Sequence, residues 1–245
     1  APTAVNLSVK LIDGASGGTV NDIASGIVGT ITTPLWKPTN RGMAMHVNND
    51  LANRASFPGT AVANSQYTAF PTVTMSVWVY PISLASRGGL ISRRDDGAPV
   101  NLNYTLDIAS TAFRIYTSGT SGVQSVSSTT PTGRWSHIVG TMSYSPTELW
   151  VNGRLAGTAG TGGGTLDGID QCPLFVGATR SDLEPANAYF QMACVWNRRL
   201  GPAEIMRLYT EPFALLENFG TVMWVPASAA YIPTTRMTMA GAGTW

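Results

Sequence analysis

The stretch Trp135–Thr158 reads W-S-H-I-V-G-T-M-S-Y-S-P-T-E-L-W-V-N-G-R-L-A-G-T, and its reading decides the fold class. Three strand-like runs, Ser136–Met142, Glu148–Val151 and Leu155–Thr158, are separated by a Ser145-Pro146 turn and an Asn152-Gly153 turn. Asn-Gly between apolar runs is a strong hairpin signal, because a type I′ turn needs positive φ at both central residues. A two-residue turn sets Trp150 opposite Leu155 on one face. The middle of the chain is therefore β-structure.

Outward from this hairpin, strand-like segments recur at short intervals, as in a sandwich. They are Asn6–Ile12, Met43–Val47, Val73–Tyr80, Gly89–Ser92, Tyr104–Ile108, Ala112–Thr117, Leu174–Gly177 and Ala188–Trp196. In Thr74–Tyr80, Met75, Val77 and Val79 fall on one face and Ser76, Trp78 and Tyr80 on the other. Both faces carry large residues, which predicts a central strand. One helix is expected over Gly201–Tyr209: Pro202 stands just inside its start, Glu211-Pro212 follows its end, and Ile205, Leu208 and Tyr209 share a face. So short a helix must pack on the sandwich. Gly160–Gly164 lacks the strand, helix and Lys-Ser/Thr pair of a phosphate loop and reads as a hairpin connection.

The 245 residues suit one large β-sandwich or two small domains, and 44% apolar residues suffice for a core. Only 12% are charged, about half the usual share. A freely diffusing monomer usually carries more charge, so this surface is expected to be partly covered by partners. The net charge is +1 and Arg93-Arg94 and Arg198-Arg199 are pairs rather than patches, which argues against nucleic-acid binding. No apolar run reaches membrane-span length, and the start A-P-T-A-V-N-L lacks a signal-peptide layout; Ala1 is consistent with loss of an initiator Met or of a longer leader.

Two cysteines, Cys172 and Cys194, are too few for an all-Cys zinc site. One reading is a pair of reduced, half-buried thiols. The other is a bridge, formed if Leu174–Gly177 and Tyr189–Trp196 pair antiparallel and bring the cysteines nearly opposite each other.

Taken in order, the motifs resemble the laminin-G-like jelly-roll branch of the concanavalin A-like lectin/glucanase superfamily. The match runs over roughly residues 5 to 210. It includes the strand and acidic-glycine turn of N-L-S-V-K-L-I-D-G, Trp36 with Gly42–Met45, the Trp-bearing strand V-T-M-S-V-W-V-Y-P at 73–81, and G-G-L-I-S-R-R-D at 88–95. Y-T-L-D-I at 104–108, F-R-I-Y at 113–116, the opening hairpin, L-F-V-G at 174–177 and V-W-N-R-R-L-G-P-A-E-I-M-R-L-Y at 195–209 follow in family order. The resemblance implies an all-β concanavalin A-like jelly-roll sandwich over 1–210 with one short C-terminal helix. Residues 211–245 form a separate extension or arm, L-Y-T-E-P-F-A-L-L leading into a V-P-A-S-A-rich tail that resembles proteins of tailed bacteriophages and prophages. Alone such a tail would be mobile, so it is expected to dock on its own sandwich or on a neighbouring subunit.

The chemistry available is limited. Glycoside hydrolysis needs two flanking carboxylates. The superfamily's glucanases place them on one strand, and no strand here carries such a cluster. Asp95-Asp96, Asp167 and Asp170 read as solvated turn acids. Neither His46 nor His137 belongs to a recognisable triad, and His137 reads as a structural histidine. No catalytic residues and no resident metal are therefore expected. Ca²⁺ stays open as the one cofactor the resemblance raises, with Asp22, Asp95, Asp96, Asp107, Asp182 and Glu184 as scattered candidates. A sugar site needs an exposed aromatic beside amide partners; Tyr104 with Asn101 and Asn103, or Tyr67 with Asn64 and Gln66, are the candidates.

The leading expectation is a non-enzymatic bacteriophage virion protein, a capsid decoration or tail-associated subunit located in the virion. It would act through contacts with other virion proteins and copies of itself. Trp224, Val225, Tyr231, Ile232, Met237, Met239 and Trp245 of the arm would make those contacts. The alternative is a carbohydrate-binding module that attaches to a cell surface.

Overall fold

The computed structural model describes residues 5–10, 18–23, 26–58, 72–84, 87–94, 102–119, 122–129, 131–143, 146–159, 173–180 and 183–212. Two antiparallel sheets face each other. The first is built from β14 (Arg154–Ala159), β13 (Thr147–Val151), β12 (Ser136–Ser143), β7 (Thr72–Pro81), β16 (Asn187–Trp196), β5 (Gly42–Asn48) and β4 (Trp36–Thr39), in that order, with β1 (Val5–Lys10) also paired to β16. The second runs β11 (Gly122–Thr129), β10 (Ala112–Gly119), β9 (Leu102–Ala109), β8 (Arg87–Arg94), β15 (Leu174–Val176), β6 (Ala55–Phe57), β3 (Val28–Thr30) and β2 (Thr19–Asn21). This is the expected jelly-roll sandwich.

The opening hairpin forms as read. Asn152 and Gly153 have φ of 51° and 75°, Val151 faces Arg154, and Trp150 faces Leu155. The Asn152 side chain accepts the His137 backbone N–H at 2.8 Å, and the Asn152 N–H donates to the His137 carbonyl, which pins the turn to β12. Strand β7 is central, between β12 and β16. Its Met75, Val77 and Val79 point into the core between the sheets, where they meet Leu106, Ile108, Phe113, Ile115, Ile138 and Phe190. The sheets approach closely at Gly140, where a Cβ would lie 2.4 Å from Ile115 Cδ1.

The helix α1 (Pro202–Thr210) begins at Pro202, and the Glu204 carboxylate accepts the Gly201 N–H at 2.9 Å. Ile205 and Leu208 are buried against the outer face of the first sheet. Thr74 anchors the segment that leads to it, donating to the Arg198 carbonyl at 2.7 Å and accepting the Leu200 N–H at 3.1 Å.

Two differences from the sequence reading have clear causes. Strands β2, β3, β4, β6 and β11 carry no clear strand signal in the sequence. Four of them are only three or four residues long, and β11 is the Ser-rich G-V-Q-S-V-S-S-T. The expected pairing of Leu174–Gly177 with Tyr189–Trp196 is corrected: β15 pairs with β6 and β8 in the second sheet, whereas β16 lies in the first. The chain passes from one sheet to the other between them, tied by an isolated bridge between Ala178 and Pro185 and by a hydrogen bond from Thr179 to Glu184. Cys194 is buried on the outer face of the first sheet, turned away from β15, so the geometry that suggested a bridge is absent. Cys172, Gly160–Gly164 and the whole arm, including Trp224, Val225, Tyr231, Ile232, Met237, Met239 and Trp245, lie outside the described residues.

Candidate functional site

Side chains on β7, β12 and β16 alternate, so every second residue faces outward from the first sheet. One part of this outer face is sealed. Trp78, Val139, Trp150, Met192, Cys194 and Trp196 are covered by Leu200, Ile205 and Leu208. His137 is enclosed here as a structural residue. Its Nε2 lies 2.8 Å from Ser76 Oγ, and its ring stacks with Trp78 and Tyr209 at 5.1 and 6.2 Å between centroids. Burial, with a smaller contribution from the Arg41 charge, pulls its pKa down to about 3, so the ring is neutral at ordinary pH.

Beyond the end of α1 the same face is open. A row of rings crosses three strands and the segment before β12. Trp135 lies 5.7 Å from Tyr80, Tyr80 lies 5.6 Å from Tyr189, and Tyr189 lies 4.8 Å from His46. Trp135, Tyr80 and Tyr189 are half-buried. With Pro38, Thr39, Asn40 and Arg41 of the β4–β5 turn, and Gly133 and Arg134, they line a cleft of about 520 Å³. Trp135 Nε1 donates to Asn40 Oδ1 at 3.0 Å, which fixes the indole plane.

The position of Arg41 depends on a β-bulge. The register of β16 against β7 shifts between Phe190 and Met192, which leaves Gln191 as the extra residue. Gln191 is buried and clamps the turn from both sides. Its Oε1 accepts Arg41 Nε–H at 3.1 Å, and its Nε2 donates to the Arg41 carbonyl at 2.8 Å. The guanidinium lies 3.9 Å from the Trp78 ring centre and 5.9 Å from that of Trp135. Partial burial lowers the Arg41 pKa, and the nearby Tyr209 acts in the opposite direction. His46 is also pushed down, first by burial and then by Lys37, against a hydrogen bond with Asn187. This arrangement of flat rings, an amide and an oriented cation can hold a saccharide by stacking and hydrogen bonding.

A second cleft, of about 420 Å³, includes Asn49, Ser83, Arg87, Glu184 and Asn187. Its charges are spent on each other. Buried Asp107 accepts Arg87 at 2.7 Å and Arg114 at 2.8 Å, and Glu184 takes Arg87 at 3.2 Å together with Thr179. Asp107 and Glu184 were Ca²⁺ candidates; arginines meet them instead. Asp22 is buried in a separate turn, and Asp95, Asp96 and Asp182 lie outside the described residues. Among the described residues, no three His, Cys, Asp or Glu side chains gather as a metal set.

The sugar candidates read from sequence fare unevenly. Tyr104 is fully buried in the core between the sheets, so its ring offers no face for stacking. Asn101, the Asn103 side chain, Tyr67, Asn64 and Gln66 lie outside the described set. Local alternation puts Tyr80 on the face of β7 opposite Met75, Val77 and Val79, but it does not join Tyr80 to Trp135, Tyr189 and Arg41. The joining signal is the strand order, which single-strand alternation does not reveal.

Comparison with solved structures gives the same sandwich. Trypanosoma rangeli sialidase in complex with sialic acid aligns over 85% of this chain and 33% of its own, at 16% identity and a TM-score of 0.62. A botulinum neurotoxin type C structure, described by its dependence on two ganglioside molecules for cell entry, aligns over 86% of this chain and 52% of its own, at 14% identity and a TM-score of 0.59. Domain 4 of AbnA, an extracellular arabinanase from Geobacillus stearothermophilus in complex with arabinotriose, is matched over its whole length and 85% of this chain, at 14% identity and a TM-score of 0.63. The chain thus spans about a third of the length of the sialidases it matches. No curated protein matches the chain. The Laminin_G_3 family model matches residues 50–206, more than half of the sequence, and the chain belongs to the concanavalin A-like lectin/glucanases superfamily.

Proposed function

We propose that this chain is a non-enzymatic glycan-binding module whose site is the open cleft on the first sheet. One observation carries the reading: Trp135, Tyr80 and Tyr189 form a half-buried aromatic platform beside Asn40 and Arg41 in a single cleft. Rings of this kind stack on the apolar faces of pyranose or furanose units, while the amide and guanidinium address hydroxyls. No carboxylate lines the cleft among the described residues, whereas most glycoside hydrolases use two, so binding is favoured over cleavage. The sialic acid, ganglioside and arabinotriose named for the three structural neighbours agree with this reading.

A glycan array probed with the full chain, with and without Ca²⁺, tests it. Specific signals are expected, and they should disappear in Tyr189→Ala and Trp135→Ala variants that unfold at near the parental temperature. Array-wide silence, or signals unchanged in both variants, would overturn the reading.

A virion location draws separate support from the 12% charged content and from the low-charge tail. Deleting Val222–Trp245 should then abolish particle incorporation and leave the sandwich folded; unchanged incorporation would exclude it.

A further inference from the structure

Among the described residues, the cleft is lined by basic side chains and by no acidic one. Six arginines elsewhere sit against carboxylates: Arg87 and Arg114 on Asp107, Arg94 on Glu184, Arg198 on Glu204, Arg199 on Glu148 and Arg207 on Glu211. Arg41 and Arg134 both line the cleft, and no described carboxylate lines it with them or pairs with either. Arg41 is also held in one orientation. Its Nε is engaged by Gln191 and its plane is backed by Trp78 at 3.9 Å. A guanidinium has five N–H donors in a rigid fork, so with Nε occupied the two terminal amino groups remain for a ligand. Their spacing matches the two oxygens of a carboxylate.

Resting on the glycan-binding reading above, we infer that the ligand is an acidic saccharide whose carboxylate is received by Arg41, with Arg134 adding long-range attraction and the Trp135–Tyr80–Tyr189 row stacking on the sugar ring. The preset orientation of Arg41 limits the conformational entropy lost on binding. A neutral sugar would leave two unmatched cations in the cleft. A sulfate can also offer two of its oxygens to the fork, so sulfated members are the arm of the test that separates the two anions.

The test is an array in which uronic-acid, sialylated and sulfated glycans each stand beside the neutral parent. Binding confined to carboxylated members is expected, falling by about tenfold or more in Arg41→Gln and weakening as salt is raised. Thermal unfolding of the variant checks its fold, and Arg134→Gln, on an exposed side chain, provides a second variant with a smaller loss and the same direction. Equal binding of acids and neutral parents would overturn the inference and leave the glycan-binding reading standing. Equal binding of sulfated and carboxylated members would overturn the carboxylate assignment. Silence across the array would overturn both readings.

Discussion

The outer face of the first sheet is aromatic along its length, yet its two parts are treated differently. Under α1, Trp78, Trp150 and Trp196 are sealed with Ile205 and Leu208, and even His137 is shut in as a neutral ring. Past the end of the helix, Tyr80, Tyr189 and Trp135 keep part of their rings in solvent. Rings on neighbouring strands can therefore serve stability or recognition according to what lies over them. A cover converts their area into folding free energy; an uncovered ring holds that area available for a ligand.

The comparison breaks most visibly at Trp196, the largest fully buried side chain of the sealed part. Trp196→Ala should cost about 3–5 kcal/mol in urea unfolding. A loss below about 1 kcal/mol would mean that the helix is not a seal.

The next effect is expected at the contact between hairpin and helix. Gly153 has φ of 75°, and a Cβ there would lie 2.9 Å from Met206 Sδ of α1. Gly153→Ala should destabilise by about 1–3 kcal/mol, chiefly through the left-handed backbone, since the Met206 tip can move. Gly153→Asn, which tolerates that backbone better, should lose less of it to strain.

His137 sharpens the comparison through pH. Its folded pKa of about 3 lies below the ordinary 6.5, so between those values the unfolded chain binds the extra proton. Its contribution to stability is therefore complete above about pH 6.5 and lost as pH falls toward 3, at up to about 1.4 kcal/mol per pH unit. His46 is shifted in the same direction, so the slopes of wild type and His137→Gln must be compared directly. Stability of the variant should depend less steeply on pH across that window; an unchanged slope would show that His137 is not enclosed as a neutral ring.

The smallest stability effect belongs to the open part. Trp135→Ala should cost about 1 kcal/mol or less, because the ring is half-buried and its indole N–H bonds only the exposed Asn40.

Much of the sealed part was legible in the sequence. The Asn152-Gly153 turn, the central β7 with its two apolar faces, and α1 with Pro202 at its start and Glu211-Pro212 after its end all follow from local rules. Local rules fail where strands are too short to show a period, as in β2, β3, β4 and β6. They fail again where sheet membership decides, as with β15, placed by sequence beside β16 and found in the opposite sheet. The open cleft was hidden for the same reason. It joins a turn at Asn40-Arg41 to strands 40 to 150 residues away in sequence, through a bulge at Gln191 that no periodicity announces. Tyr104, by contrast, looked like a sugar platform because two asparagines stand near it, yet cross-strand order puts it in the core.

The most direct test sets one residue of each part side by side, Tyr189→Ala against Leu208→Ala, and measures glycan affinity and unfolding free energy for both. The open part should lose at least about tenfold in affinity with little change in stability. The sealed part should lose about 2–5 kcal/mol of stability and, where still folded, keep its affinity. Retained affinity in Tyr189→Ala, with the chain folded and a glycan bound by wild type, would contradict the assignment of the cleft.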